Sequence, residues 1–119
     1  MIIIILPDIL CGGVVAAQYY NENEDKLDGL ILIESRSNVK LSDDAKVLSI
    51  VGSLDGVLKS YEESKKYLPS NFKEVVIDGG NHSGFANYGE QDGDNKATIS
   101  KEEQQEKTVE AIVGFAKSE

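Results

Sequence analysis

The chain opens Met1-Ile2-Ile3-Ile4-Ile5-Leu6-Pro7-Asp8-Ile9-Leu10-Cys11-Gly12-Gly13-Val14-Val15-Ala16-Ala17. Ile2 to Leu6 is an apolar run without a polar break, the pattern of a strand covered on both faces. Pro7 has no N–H to give a sheet ladder, so the strand stops there. Gly12 and Gly13 permit a tight turn. Val14 to Ala17 then offers a small apolar surface that can pack closely on a sheet. The stretch therefore predicts strand, sharp turn and helix, and the rest of the chain repeats that rhythm.

Helix one is expected over about 12–23, ending in the polar cluster from Asn21 to Asp25. Leu30 to Ile33 reads as a second buried strand and Val47 to Val51 as a third, closed by Gly52-Ser53-Leu54-Asp55-Gly56. A second helix is expected over about 57–67, stopped by Pro69. Val75 to Ile77 reads as a fourth strand, followed by Asp78-Gly79-Gly80-Asn81-His82 and a long Gly- and Asn-rich loop to Lys96. The last helix is expected from about Ser100 to Lys117, with Val109, Ile112, Val113 and Ala116 on one apolar face. Strands alternating with helices mean an α/β fold. The expectation is one domain over 1–119, three-layer αβα, with about four mainly parallel strands. Right-handed crossovers put helices one and two on one face and the final helix on the other. The Ile2–Leu6 edge is then left bare, which invites pairing with a second copy or with a missing N-terminal half.

Composition narrows the partners. The chain has 119 residues, 40% hydrophobic and 28% charged, with a net charge of −9. An acidic chain argues against nucleic acid and against anionic membranes, both of which want basic patches. The opening apolar run is too short to span a bilayer and no charged leader precedes it, so the default expectation is cytoplasmic. Cys11 is the single cysteine, which excludes an internal disulfide.

Asp55 and His82 each follow a buried strand in a Gly-flanked loop, at the end of the sheet where α/β proteins place their sites. Alone, Asp55 is a turn former before glycine and His82 a loop histidine that bonds backbone. As a pair in this order they read as an acid that orients a base. Glu34, at the end of the second strand, is expected to be a solvated strand-end carboxylate, with an alternative role as the orienting acid. Asp92, Asp94 and Glu103 have three positions of a calcium loop, but Lys96 and Ala97 stand where a ligand and the turn glycine belong. Ser100 to Glu103 is instead a helix capping box.

These residues carry a resemblance. Leu48-Ser49-Ile50-Val51-Gly52-Ser53-Leu54-Asp55-Gly56 resembles the acid-bearing segment of α/β-hydrolases, and Gly79-Gly80-Asn81-His82-Ser83-Gly84-Phe85 resembles their histidine loop. Gly12 to Ala17 is similar to the segment just after their nucleophile, and Asp25 to Leu32 is similar to a bacterial branch of small dienelactone-hydrolase-like members. The resemblance covers nearly the whole chain and the second half of the family's domain. It implies hydrolysis of a small carboxylic ester or related acyl substrate, with no cofactor and no metal, His82 as general base and Asp55 orienting it.

The departure is at the nucleophile elbow. Where the family reads Gly-His-Ser-Leu-Gly-Gly, this chain reads Asp8-Ile9-Leu10-Cys11-Gly12-Gly13. Leu10 stands in the nucleophile's place and cannot attack a carbonyl. Cys11, one residue late, is chemically able to attack as a thiolate, or is a small buried hydrophobe. The codons GGA CAT TCT TTG encode Gly-His-Ser-Leu; read one nucleotide late they give Asp-Ile-Leu and open a Cys codon. The expectation is a hydrolase relative that is weak or inactive, with a non-catalytic dimeric scaffold as the rival.

Overall fold

Leu30-Ile31-Leu32-Ile33 carries no polar side chain, so it is stable only where both faces are covered, and parallel sheets supply that setting. In the computed structural model the described residues are 2–5, 19, 21–23, 25, 27–34, 37, 39–56, 61–85 and 93–117. They contain four strands: β1 (Ile2–Ile5), β2 (Gly29–Ile33), β3 (Val47–Gly52) and β4 (Lys73–Ile77). The sheet order is β1-β2-β3-β4 and every pairing is parallel. Every residue of β2 and β3 is buried.

Alternation along β2 and β3 builds two cores. Leu30, Leu32 and Val47 point to one face, where Leu27, Leu41, Ala45 and Leu68 cover them. Ile31, Ile33, Leu48 and Ile50 point to the other, under Phe85 and Phe115. Ser49 is the polar exception within β3. Its hydroxyl lies 2.9 Å from that of Tyr61, which donates in turn to Glu74 at 2.7 Å. Burial, offset only in part by the Ser49 bond, pushes the Tyr61 phenol well above its ordinary range.

Two expectations are corrected and one, the second helix, is refined. β4 begins at Lys73, because an open edge tolerates charged residues that a sequence reading takes for loop, and charged side chains discourage pairing with other chains. In the second helix, α1 spans Tyr61–Ser64 and tightens into a 3₁₀ turn over Lys65–Tyr67 before Pro69; residues 57–60 lie outside the described residues. The final helix, α2 (Lys101–Lys117), buries a different stripe. Gln104, Thr108 and Phe115 face inward with Ile112, whereas Val109 is 58% exposed, Val113 is 43% exposed and Ala116 is exposed too. Two members of the inward stripe are polar, so hydropathy alone chooses the wrong face. Thr108 satisfies its hydroxyl on the Gln104 carbonyl at 2.8 Å. The Ser100 half of the capping box is present: the Glu103 N–H donates to the Ser100 hydroxyl at 3.1 Å. Most of the first predicted helix lies outside the described residues, although residues 19, 21 and 22 are helical.

Candidate active site

The carboxyl ends of β2, β3 and β4 lie side by side, so the first residues beyond them converge. Beyond β3 the chain turns at once: the Asp55 N–H donates to the Gly52 carbonyl, and the Leu54 N–H donates to the Gly80 carbonyl at 2.8 Å. The turn after β3 is thus docked on the turn after β4. The approach requires glycine at 52, where a Cβ would sit 2.5 Å from the Gly80 oxygen.

His82 is 3% exposed. Its Nδ1 lies 3.1 Å from Asp55 Oδ2, so the two predicted residues do meet. Glu34 also reaches this nitrogen, with Oε2 at 3.3 Å. The expectation of a solvated Glu34 is therefore overturned: the residue is 2% exposed. Its backbone adopts φ 51°, a left-handed conformation uncommon for a residue with a side chain. Its N–H still donates to the Ile50 carbonyl at 2.8 Å, continuing the ladder. Its Oε1 accepts from the Gly52 N–H at 2.6 Å across the end of β3. The inward aim follows from that backbone twist, which residue type does not disclose.

Two further residues hold the histidine loop: Asp94, which the sequence offers only as a calcium-loop position, and Gln104, which it does not single out. Asp94 accepts from the N–H groups of Gly56, His82, Ser83 and Asn95 and from the Ser83 hydroxyl, the last at 2.6 Å. Burial works against its charge. The Ser83 hydroxyl and the backbone donors outweigh that and hold its carboxyl below the ordinary carboxylate range. Of the calcium-loop candidates, Asp94 is committed to these donors and Glu103 pairs with Lys107 at 3.2 Å; Asp92 lies outside the described residues. Gln104 of α2 is fully buried. Its amide pairs with the Asn81 backbone as a neighbouring strand would, Oε1 accepting from N–H at 3.3 Å and Nε2 donating to the carbonyl at 2.7 Å. Gly84 leaves the room it needs, since a Cβ there would lie 2.1 Å from Gln104 Oε1. An internal bond from the Gly84 N–H to Asn81 Oδ1 at 2.8 Å closes the loop.

Asp55 lines a cavity of about 340 Å³ together with Gly52, Ser53, Tyr61, Glu74 and Val76. A second cavity, about 460 Å³, is lined by Asn81, Ser83, Asp94 and Lys101 among others.

With a carboxylate beyond one parallel strand in contact with a histidine beyond the next, the family comparison is decisive. The sequence model of the alpha/beta hydrolase family matches residues 8–106. The chain belongs to that family. No curated protein and no solved structure matches it. In this alpha/beta hydrolase the elbow residues, Leu10 and Cys11 included, lie outside the described residues, as does any turn they form. Among the described residues, no helix is long and apolar enough to cross a membrane.

Proposed function

We propose that this alpha/beta hydrolase is an acyl-ester hydrolase with an intact acid–base pair and an impaired attacking group. The observation that carries the reading is the buried contact of His82 Nδ1 with Asp55. With the ring proton on Nδ1 and bonded to Asp55, Nε2 keeps its lone pair and serves as the base. It would take a proton from the attacking group, which then adds to the acyl carbonyl. The same proton would return to the departing alcohol, and water would clear the acyl intermediate. Leu10 supplies no attacking atom. Cys11 supplies one only if the elbow is shifted by one residue, so turnover as the chain stands is weak.

The test restores Gly-His-Ser-Leu at 8–11 by Asp8→Gly, Ile9→His, Leu10→Ser and Cys11→Leu. Cleavage of a small activated ester is then followed, with folding checked by circular dichroism. The expected result is a gain over wild type that His82→Ala removes by about 10²- to 10⁴-fold, the usual worth of general-base catalysis. A folded, restored elbow with no gain would refute the reading. Wild-type turnover that a thiol-blocking reagent abolishes would instead place the attack on Cys11. The gene's DNA tests the frame-shift account of Asp8 to Cys11: codons other than those expected would sink it.

A non-catalytic scaffold that dimerises is the second reading. It draws on β1 standing at the end of the strand order, with β2 as its sheet neighbour among the described strands. Sedimentation of the purified chain tests it; a monomer at tens of micromolar refutes it.

A further inference from the structure

The hydrolase reading leaves one atom unused. An imidazole Nδ1 carries at most one proton and makes one good N–H···O bond, which Asp55 takes at 3.1 Å. Glu34 Oε2, 3.3 Å from the same nitrogen, is buried and has no hydrogen-bond partner among the described residues. Two carboxylates thus face one buried imidazole, and one carboxylate oxygen, Glu34 Oε2, is an unused acceptor. Buried charge of this kind is paired or coordinates a metal.

The spacing suits a cation. Zinc holds imidazole nitrogen and carboxylate oxygen at about 2.0–2.2 Å, so ligand atoms around a tetrahedral zinc lie roughly 3.3–3.5 Å apart. Here Oδ2 and Oε2 lie 3.1 and 3.3 Å from Nδ1, and the three donor atoms all fall within 4.8 Å of one another. Glu34 is also held as a ligand should be: Oε1 is tied to the Gly52 N–H at 2.6 Å, which aims Oε2 into the cluster.

We infer that Glu34, Asp55 and His82 form a binding site for zinc or a chemically similar divalent cation. Oε2, Oδ2 and Nδ1 are its three protein ligands, and a water completes the fourth position. An imidazole plus two carboxylates is a donor set of the zinc class. Coordination needs the Nδ1 lone pair, so the ring proton moves to Nε2. His82 can then donate from Nε2 but cannot accept, and the cation switches off the base. The site itself does not depend on the hydrolase reading, and its test reads binding rather than turnover.

The experiment titrates zinc into the 119-residue chain carrying Cys11→Ala, which removes the single thiol as a competing ligand. His82 is the only histidine, so the ¹⁵N imidazole spectrum reports one ring. The expected result is saturation at one zinc per chain, with the Nδ1 resonance displaced and a proton retained on Nε2. In competition against a chromophoric chelator, Glu34→Gln weakens binding by more than tenfold; outer-shell partners alone already carry about 10- to 100-fold. Ring resonances unmoved at saturating zinc overturn the inference. So does a folded Glu34→Gln protein with unchanged affinity, which would assign the binding to surface carboxylates. Should Glu34→Gln not fold, the ring spectrum of the Cys11→Ala protein decides alone.

Discussion

Replacing Gln104 by leucine should cost this domain a large part of its stability although no charge, cap or cofactor is touched. The side chain is fully buried, and both halves of its amide are spent on the Asn81 backbone at 3.3 and 2.7 Å. Leucine fills a similar volume and suits a helix, so cavity and propensity effects stay small. What remains is an Asn81 N–H and carbonyl stranded in a buried loop, at about 1–3 kcal/mol each. The 3.3 Å bond is the weaker, which puts the expected loss at roughly 2–4 kcal/mol, against a total stability of about 5–15 kcal/mol for a domain. Equilibrium urea unfolding measures it, with an unchanged slope confirming that the midpoint shift is stability. Gln104→Glu sharpens the test. An ionised carboxylate keeps the acceptor but faces the Asn81 carbonyl, so its folded pKa is raised. The variant should be most deficient at neutral pH and recover as the pH falls and the carboxyl protonates. A Gln104→Leu loss within about 0.5 kcal/mol, the range of an ordinary surface substitution, would refute the view that this amide holds the histidine loop.

Other outcomes rest on the same packing. Asp94→Asn should cost about 1.5–3 kcal/mol at neutral pH through loss of charge-assisted bonds to the histidine loop. Because the folded carboxyl titrates below its ordinary 3.8, that contribution is present above this value and is lost as the pH falls through the lower folded one. The gap between wild type and variant in urea unfolding should therefore close on acidification. Gly52→Ala should be destabilised by at least about 1–3 kcal/mol, since its Cβ would meet the Gly80 backbone rather than a movable side chain; a neutral result in thermal melts would contradict the docking of the two turns. Phe115→Ala should cost about 3–5 kcal/mol and Val113→Ser less than about 0.5, and comparable losses would mean that α2 packs through the stripe expected from hydropathy.

Much of this frame is written in the chain's local pattern. β2 and β3 are legible because apolar runs covered on both faces admit few other settings, and Asp55 and His82 are legible because each follows such a run in a glycine-flanked turn. The illegible parts are polar residues buried by partners far along the chain. Glu34 bonds Gly52, 18 residues on, and Gln104 bonds Asn81, 23 residues back. No window of hydropathy contains both members of either pair. Glu34 further depends on a left-handed backbone turn that glutamate does not favour. The same blindness misplaced the inward face of α2, where Gln104 looks like a solvent residue until the loop it contacts is in place.

The strict spatial sequence of the sheet bears on assembly during synthesis. Each strand pairs with the one just made, so the sheet can lengthen at a growing edge as the ribosome delivers the chain, without waiting for distant segments. The histidine loop cannot be finished on that schedule. His82 follows β4 directly, yet the Asp94 carboxylate and the Gln104 amide that secure its loop arrive later, the second within α2. A nascent chain that has completed its sheet therefore still holds an unfastened loop. The late helix acts as the clasp that turns a folded scaffold into a formed site.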